Sequence, residues 1–135
     1  MESTNSQFTF DLDQIDEYRR KHNTSVLAIM FTDIEGFTAY TNREGDVAAA
    51  KMMAEHDGVL KKAIADNDGL IIQKIGDAFL AVFADPSLSV KAALAIQQEL
   101  KKIKFILKVR IGMARRRSRA KSAASWRRTN RTASS

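Results

Sequence analysis

Apolar and polar positions along this chain of 135 residues fall into short blocks with distinct periods. Residues 1 to 10 are largely polar and are expected to be disordered. From Asp11 to His22, Leu12 and Ile15 share one face of a short amphipathic helix, which Asn23 and Thr24 break. Ser25 to Phe31 is a continuous apolar run, rich enough in β-formers for a strand buried on both faces. Gly36 and Thr38 open a short helical turn. Between about Asp46 and Ala65, Ala49, Met53, Leu60, Ala63 and Ile64 recur at helical spacing. The string Asp66-Asn67-Asp68-Gly69 stops that helix.

Two further strands follow, Leu70 to Ile75 and Ala78 to Phe83, joined by the tight turn Gly76-Asp77. Asp85 and Pro86 are then the N-cap and first position of a helix, whose apolar face reads as Val90, Ala93, Leu100 and Ile103. Phe105 to Ile111 is the last strand. The order β-α-β-β-α-β predicts an α+β, ferredoxin-like fold. In that topology the third strand lies antiparallel beside the first. Asp33, just past the apolar run, and Asp77, in the tight turn, therefore reach the same edge of the sheet.

Composition changes this picture little. The apolar fraction of 44% and the charged fraction of 28% are those of an ordinary globular chain, and its length allows one domain. Without cysteine there is neither a disulfide framework nor a thiolate metal site. No stretch approaches a membrane span and the N-terminus lacks a signal-peptide pattern, so a cytoplasmic protein with no membrane partner is expected. Charge matters more. Residues 113 to 135 hold eight Arg and Lys and no acid, whereas residues 1 to 112 carry 14 basic against 16 acidic residues. The net charge of +6 belongs to the tail, so no specific nucleic-acid partner is read from it.

The two aspartates carry the chemistry. Carboxylates set together at a strand edge can hold a divalent metal, and metals so held handle phosphates. His22 and His56 lie far apart without a cysteine partner, so zinc is not expected, and His56 is read as a satisfied packing residue.

The strings FTDIEGFT (Phe31 to Thr38) and KIGDAFLAVF (Lys74 to Phe83) together resemble the class III nucleotide cyclases, the adenylyl and guanylyl cyclase catalytic domains. The resemblance covers residues 25 to 112. It implies two Mg²⁺ or Mn²⁺ ions held by Asp33, Asp77 and the backbone carbonyl of Ile34. It also implies a phosphate site at Gly36, Phe37 and Thr38, where a helix start offers N–H groups. The substrate would be ATP or GTP, and the products a 3′,5′-cyclic nucleotide and pyrophosphate, made at the interface of a homodimer or of a heterodimer with a complete cyclase domain. The position that reads the purine is occupied by Gln73, which both donates and accepts and so specifies neither base. Lys74 is displaced by one residue, onto the opposite face of a regular strand.

The family's asparagine and arginine that act on the transition state have no counterpart here, and no catalytic residue is assigned. After Gly112 the pattern gives way to MARRRSRAKSAASWRRTNRTASS. A partial cyclase domain at 25 to 112 is thus expected, preceded by a segment at 1 to 24 and followed by a disordered basic tail at 113 to 135. The tail is compatible with a one-base frameshift after the Met113 codon: shifted codons for Ala114 to Ser118 can spell the family's own continuation. Alone, such a chain is expected to be nearly inactive. The alternative is a non-catalytic partner or regulator of an intact cyclase.

Overall fold

A computed structural model describes residues 12–117. Helix α1 (Leu12–His22) leads into strand β1 (Val26–Glu35), which is followed by α2 (Phe37–Glu44) and α3 (Asp46–Asp66). Strands β2 (Gly69–Ile75) and β3 (Ala78–Phe83) form a hairpin; α4 (Pro86–Lys102) and β4 (Lys108–Arg117) complete the described chain. The four strands make one antiparallel sheet in the order β2-β3-β1-β4. This is the ferredoxin-like α+β arrangement that the element order implies, with the first inter-strand connection divided into two helices at Gly45.

Helices α3 and α4 cover one face of the sheet. Met30 and Ile34 of β1 and Phe79, Ala81 and Phe83 of β3 meet Leu60, Ile64, Ala92 and Ile96 there. The small Ser89 and Ala92 let α4 approach closely, and its buried line is Ser89, Ala92, Ile96 and Leu100. Val90 and Ile103, expected inside, stand exposed. On the other face, α1 covers only one end. Its Tyr18 packs with Leu27 and Val82, and the Tyr18 hydroxyl accepts from Ala84 N (2.8 Å) and donates to the Asp68 carbonyl (2.7 Å).

Two strands at the site differ from expectation. β1 does not stop at Phe31 but runs to Glu35, so Asp33 lies within a strand. β4 begins at Lys108, not Phe105, and continues through Gly112 to Arg117. Residues 113–117 are therefore strand, not the start of a disordered tail; the rest of that expectation lies outside the described residues, as do residues 1–11. The reason is backbone pairing. β1 offers a ten-residue partner, from Val26 opposite Arg117 to Glu35 opposite Lys108. Ladder hydrogen bonds need no apolar side chain, and arginines suit an exposed edge.

Candidate functional site

Asp33 and Asp77 arrive at one rim by different routes. Asp33 is carried by β1, where Thr32 points inward and the alternation turns Asp33 toward the face without α3 and α4. Asp77 is the second residue of the β2–β3 turn, after Gly76 takes a positive φ of 59°. Pairing of Thr32 with Phe79 sets that turn beside the end of β1, and the buried Thr32 hydroxyl accepts from Phe79 N. The Asp77 carboxylate closes the gap: its Oδ2 accepts a hydrogen bond from Ile34 N at 2.6 Å. One carboxylate is thus anchored to the residue next to the other.

A third residue joins them that the sequence did not announce. Arg110 lies opposite Asp33 in the β1–β4 ladder and grips it with two hydrogen bonds, Nε to Oδ1 at 2.8 Å and Nη2 to Oδ2 at 2.6 Å. The hydrogen bond from Arg110, and then its charge, hold the Asp33 carboxyl below the usual carboxylate range. The Arg110 pKa is pushed up in return, chiefly by Asp33, with Glu35 and Asp77 adding to the field. The alternation Val109 in, Arg110 out was a signal for it; the register against Asp33 was not visible in sequence.

The donors here are two carboxylates and the carbonyls of the adjoining strand, all hard oxygen. Among the described residues no group of three or more His, Cys, Asp or Glu could hold a metal by itself. Such a set suits Mg²⁺ or Mn²⁺, which commonly take one or two carboxylates and complete their shell with phosphate oxygens and water. Beside it, Gly36 adopts the left-handed conformation (φ 79°, ψ 17°) at the N-cap of α2, with no side-chain cap on the helix start. Phe37 and Thr38 are the first two residues of that helix, where N–H groups lack intrahelical partners.

Gln73 and Lys74 sit on opposite faces, as their spacing predicts, although the strand is not regular. A β-bulge lies between Ile71 and Gln73: Ile71 pairs with Ala81, and Gln73 with Leu80. Ile72 is the extra residue, and both it and Gln73 lie on the face opposite α3 and α4. Gln73, Phe31, Ile75, Ala78 and Leu80 line a shallow cavity of about 360 Å³ on that open face. Lys74 turns toward α3. Its Nζ lies 3.4 Å from Asp57 Oδ2, donates to the Gly76 carbonyl at 2.7 Å, and sits 5.7 Å from the Phe79 ring centre.

His56 corrects one expectation. It is fully buried between Phe79 and Phe105, and Nδ1 meets Asp57 Oδ1 at 3.0 Å, but Nε2 has no hydrogen-bond partner. It is a packing residue only half satisfied.

The family model of the adenylate and guanylate cyclase catalytic domain matches residues 19–121. Among solved structures, the adenylyl cyclase CyaB from P. aeruginosa is 20% identical with a TM-score of 0.61, over 67% of this chain and 55% of that one. A dimeric guanylyl cyclase domain of the RhoGC fusion protein from the aquatic fungus Blastocladiella emersonii is also 20% identical, with a TM-score of 0.60 over 68% and 57%. At that identity the likeness establishes the fold. Serine/threonine-protein kinase pkn2 of Myxococcus xanthus is 40% identical over 74 residues, 55% of this chain but 9% of that protein. The chain spans little more than half the length of these two cyclase structures.

Proposed function

Because this chain belongs to the adenylate and guanylate cyclase catalytic domain family, we propose that its Asp33–Asp77 rim is the metal-holding half of a nucleotide cyclase site. The observation that carries this reading is the 2.6 Å hydrogen bond from Ile34 N to Asp77 Oδ2, which fixes the second carboxylate against the strand bearing the first. Asp33, Asp77 and the Ile34 carbonyl would hold Mg²⁺ or Mn²⁺. Bound there, two such ions would acidify a ribose 3′-hydroxyl and offset the charge of a triphosphate.

The protein's own groups do the rest. Arg110 keeps Asp33 ionised, while occupying both carboxylate oxygens until a cation displaces it. The α2 start at Gly36, Phe37 and Thr38 directs N–H groups at the phosphates of ATP or GTP. Gln73 faces the open cavity where a base would lie and accepts either purine. The groups that stabilise the transition state would come from a second domain, so the reading requires a homodimer or a heterodimer with a complete cyclase. Alone, the chain is expected to form cyclic nucleotide at or near background. In cyclic nucleotide signalling it would serve as one half of an active pair.

Thermal unfolding with ATP or GTP, with and without Mn²⁺, tests this directly. A Mn²⁺-dependent rise in Tm for the chain, lost in Asp77→Ala, is expected. An equal rise in Asp77→Ala would overturn the assignment of the rim.

A further inference from the structure

The end of the sheet opposite Asp33 carries a second, unrelated concentration of charge. β4 finishes in Arg115, Arg116 and Arg117, all exposed, and Arg117 pairs with Val26 at the start of β1. Three residues separate Val26 from the last turn of α1, which contributes Arg20 and Lys21, also exposed. Arg19 is in that turn too, but it is buried and its charge is paired with Asp16. Among the described residues none of the other five makes an ion pair. The acids of α1, Asp13, Asp16 and Glu17, precede this turn. Arg19, Arg20, Asn23, Thr24 and Ser25 line a polar recess of about 350 Å³ at the junction.

The layout separates possible partners. Along a strand, successive side chains point to opposite faces, so Arg115 and Arg117 project on one side of β4 and Arg116 on the other. Positive charge therefore surrounds the end of the edge strand instead of lining a face or groove. RNA readers of this topology stack bases on aromatic residues across a sheet face, and the rim residues named here include no aromatic. A ring of arginines around a blunt end fits contact with a flat anionic layer, for which clusters of about four to eight Lys/Arg are the usual signature. The chain continues past Arg117 with Arg119, Lys121, Arg127, Arg128, Arg131 and Trp126, and no acid.

We propose that the rim of Arg20, Lys21, Arg115, Arg116 and Arg117 docks on an anionic lipid surface, with the Asp33–Asp77 end pointing away from it. Seven residue steps lead from Val26 to Asp33, about 23 Å of strand. That distance exceeds the Debye length of about 8–10 Å at physiological salt, so adsorption leaves the field at Asp33 unchanged and the nucleotide end open to solvent. Among the described residues no helix is long and apolar enough to cross a membrane.

Cosedimentation of the full chain with phosphatidylcholine vesicles, with and without phosphatidylglycerol, tests the proposal. Binding is expected only to the anionic vesicles and is expected to be lost in high salt. Reversing Arg115, Arg116 and Arg117 to Glu should weaken it on the order of tenfold or more. Arg20→Glu with Lys21→Glu should weaken it as well; these lie on a separate element, so misfolding of one variant, seen by circular dichroism, leaves the other informative. Binding untouched by both variants but abolished when Arg119, Lys121, Arg127, Arg128 and Arg131 become Gln would overturn the proposal, because the tail alone would then adhere. Absence of vesicle binding, or equally tight binding of single-stranded RNA through the same arginines, would overturn it too.

Discussion

Asp33 gives both carboxylate oxygens to the guanidinium of Arg110, so any cation that uses this carboxylate must compete with an arginine already in place. Arg110 also offsets the field of Glu35 and Asp77. Replacing it by Met removes the competitor and makes the rim more negative, and both effects favour a divalent ion. Arg110→Met is expected to tighten Mn²⁺ binding several-fold, read by electron paramagnetic resonance titration; weaker binding would show instead that the arginine organises the site. The same variant has a pH signature. The Asp33 pKa is lowered in the folded state by the Arg110 hydrogen bond, so the pair's contribution is complete above the ordinary carboxylate pKa and disappears as pH falls through the folded value. The Tm difference between the two proteins should hold near neutrality and close in acid. Both aspartates were legible in the sequence because each stands in a distinctive string. Arg110 was not, since its role depends on register with a strand 77 positions away.

Elements set the next level of constraint. The apolar run Leu70 to Ile75 reads as a plain strand, and the period of two alone gives no sign that Ile72 is extra. The bulge leaves Gln73 on the open face and sends Lys74 toward α3, where it joins Asp57 and the Gly76 carbonyl. One ammonium therefore ties α3 to the turn that presents Asp77. The pair is partly shielded, with Lys74 32% and Asp57 19% exposed, and Asp57 also meets buried His56. Lys74→Met and Asp57→Asn should each lower stability to urea, and a double-mutant cycle should show a coupling of about 0.5–1 kcal/mol. Additive effects would mean that the contact is incidental. The helix boundaries were readable because Asp85 accepts from Ser87 N at the α4 start and Pro86 follows it. The buried line of α4 was misjudged because Ser89 and Ala92 bury through smallness, which hydrophobicity alone underrates.

At the scale of the whole molecule, one face of the sheet is buried beneath α3 and α4, while α1 covers only an end of the other. Strand order followed from connectivity, which is why the meeting of Asp33 and Asp77 could be anticipated. The length of β4 could not, because its last residues are held by pairing with β1 and not by any apolar pattern. The uncovered part of the sheet exposes Phe31 at 48% and Ile75 at 50% beside Leu80 and the Gln73 cavity. Apolar side chains grouped beside a candidate base site are what a partner domain would cover, and the cyclase reading requires such a partner to supply the missing groups. Phe31→Asp combined with Ile75→Asp places charge on that face without touching the α3–α4 core or the carboxylates of Asp33 and Asp77. If a second domain docks there, the chain should self-associate in analytical ultracentrifugation, or bind a complete cyclase domain, and the double variant should do neither while keeping its far-ultraviolet circular dichroism. Unchanged association in that variant would place the interface elsewhere. Gln73 would then face solvent, and the assignment of a base to the open cavity would fail with it.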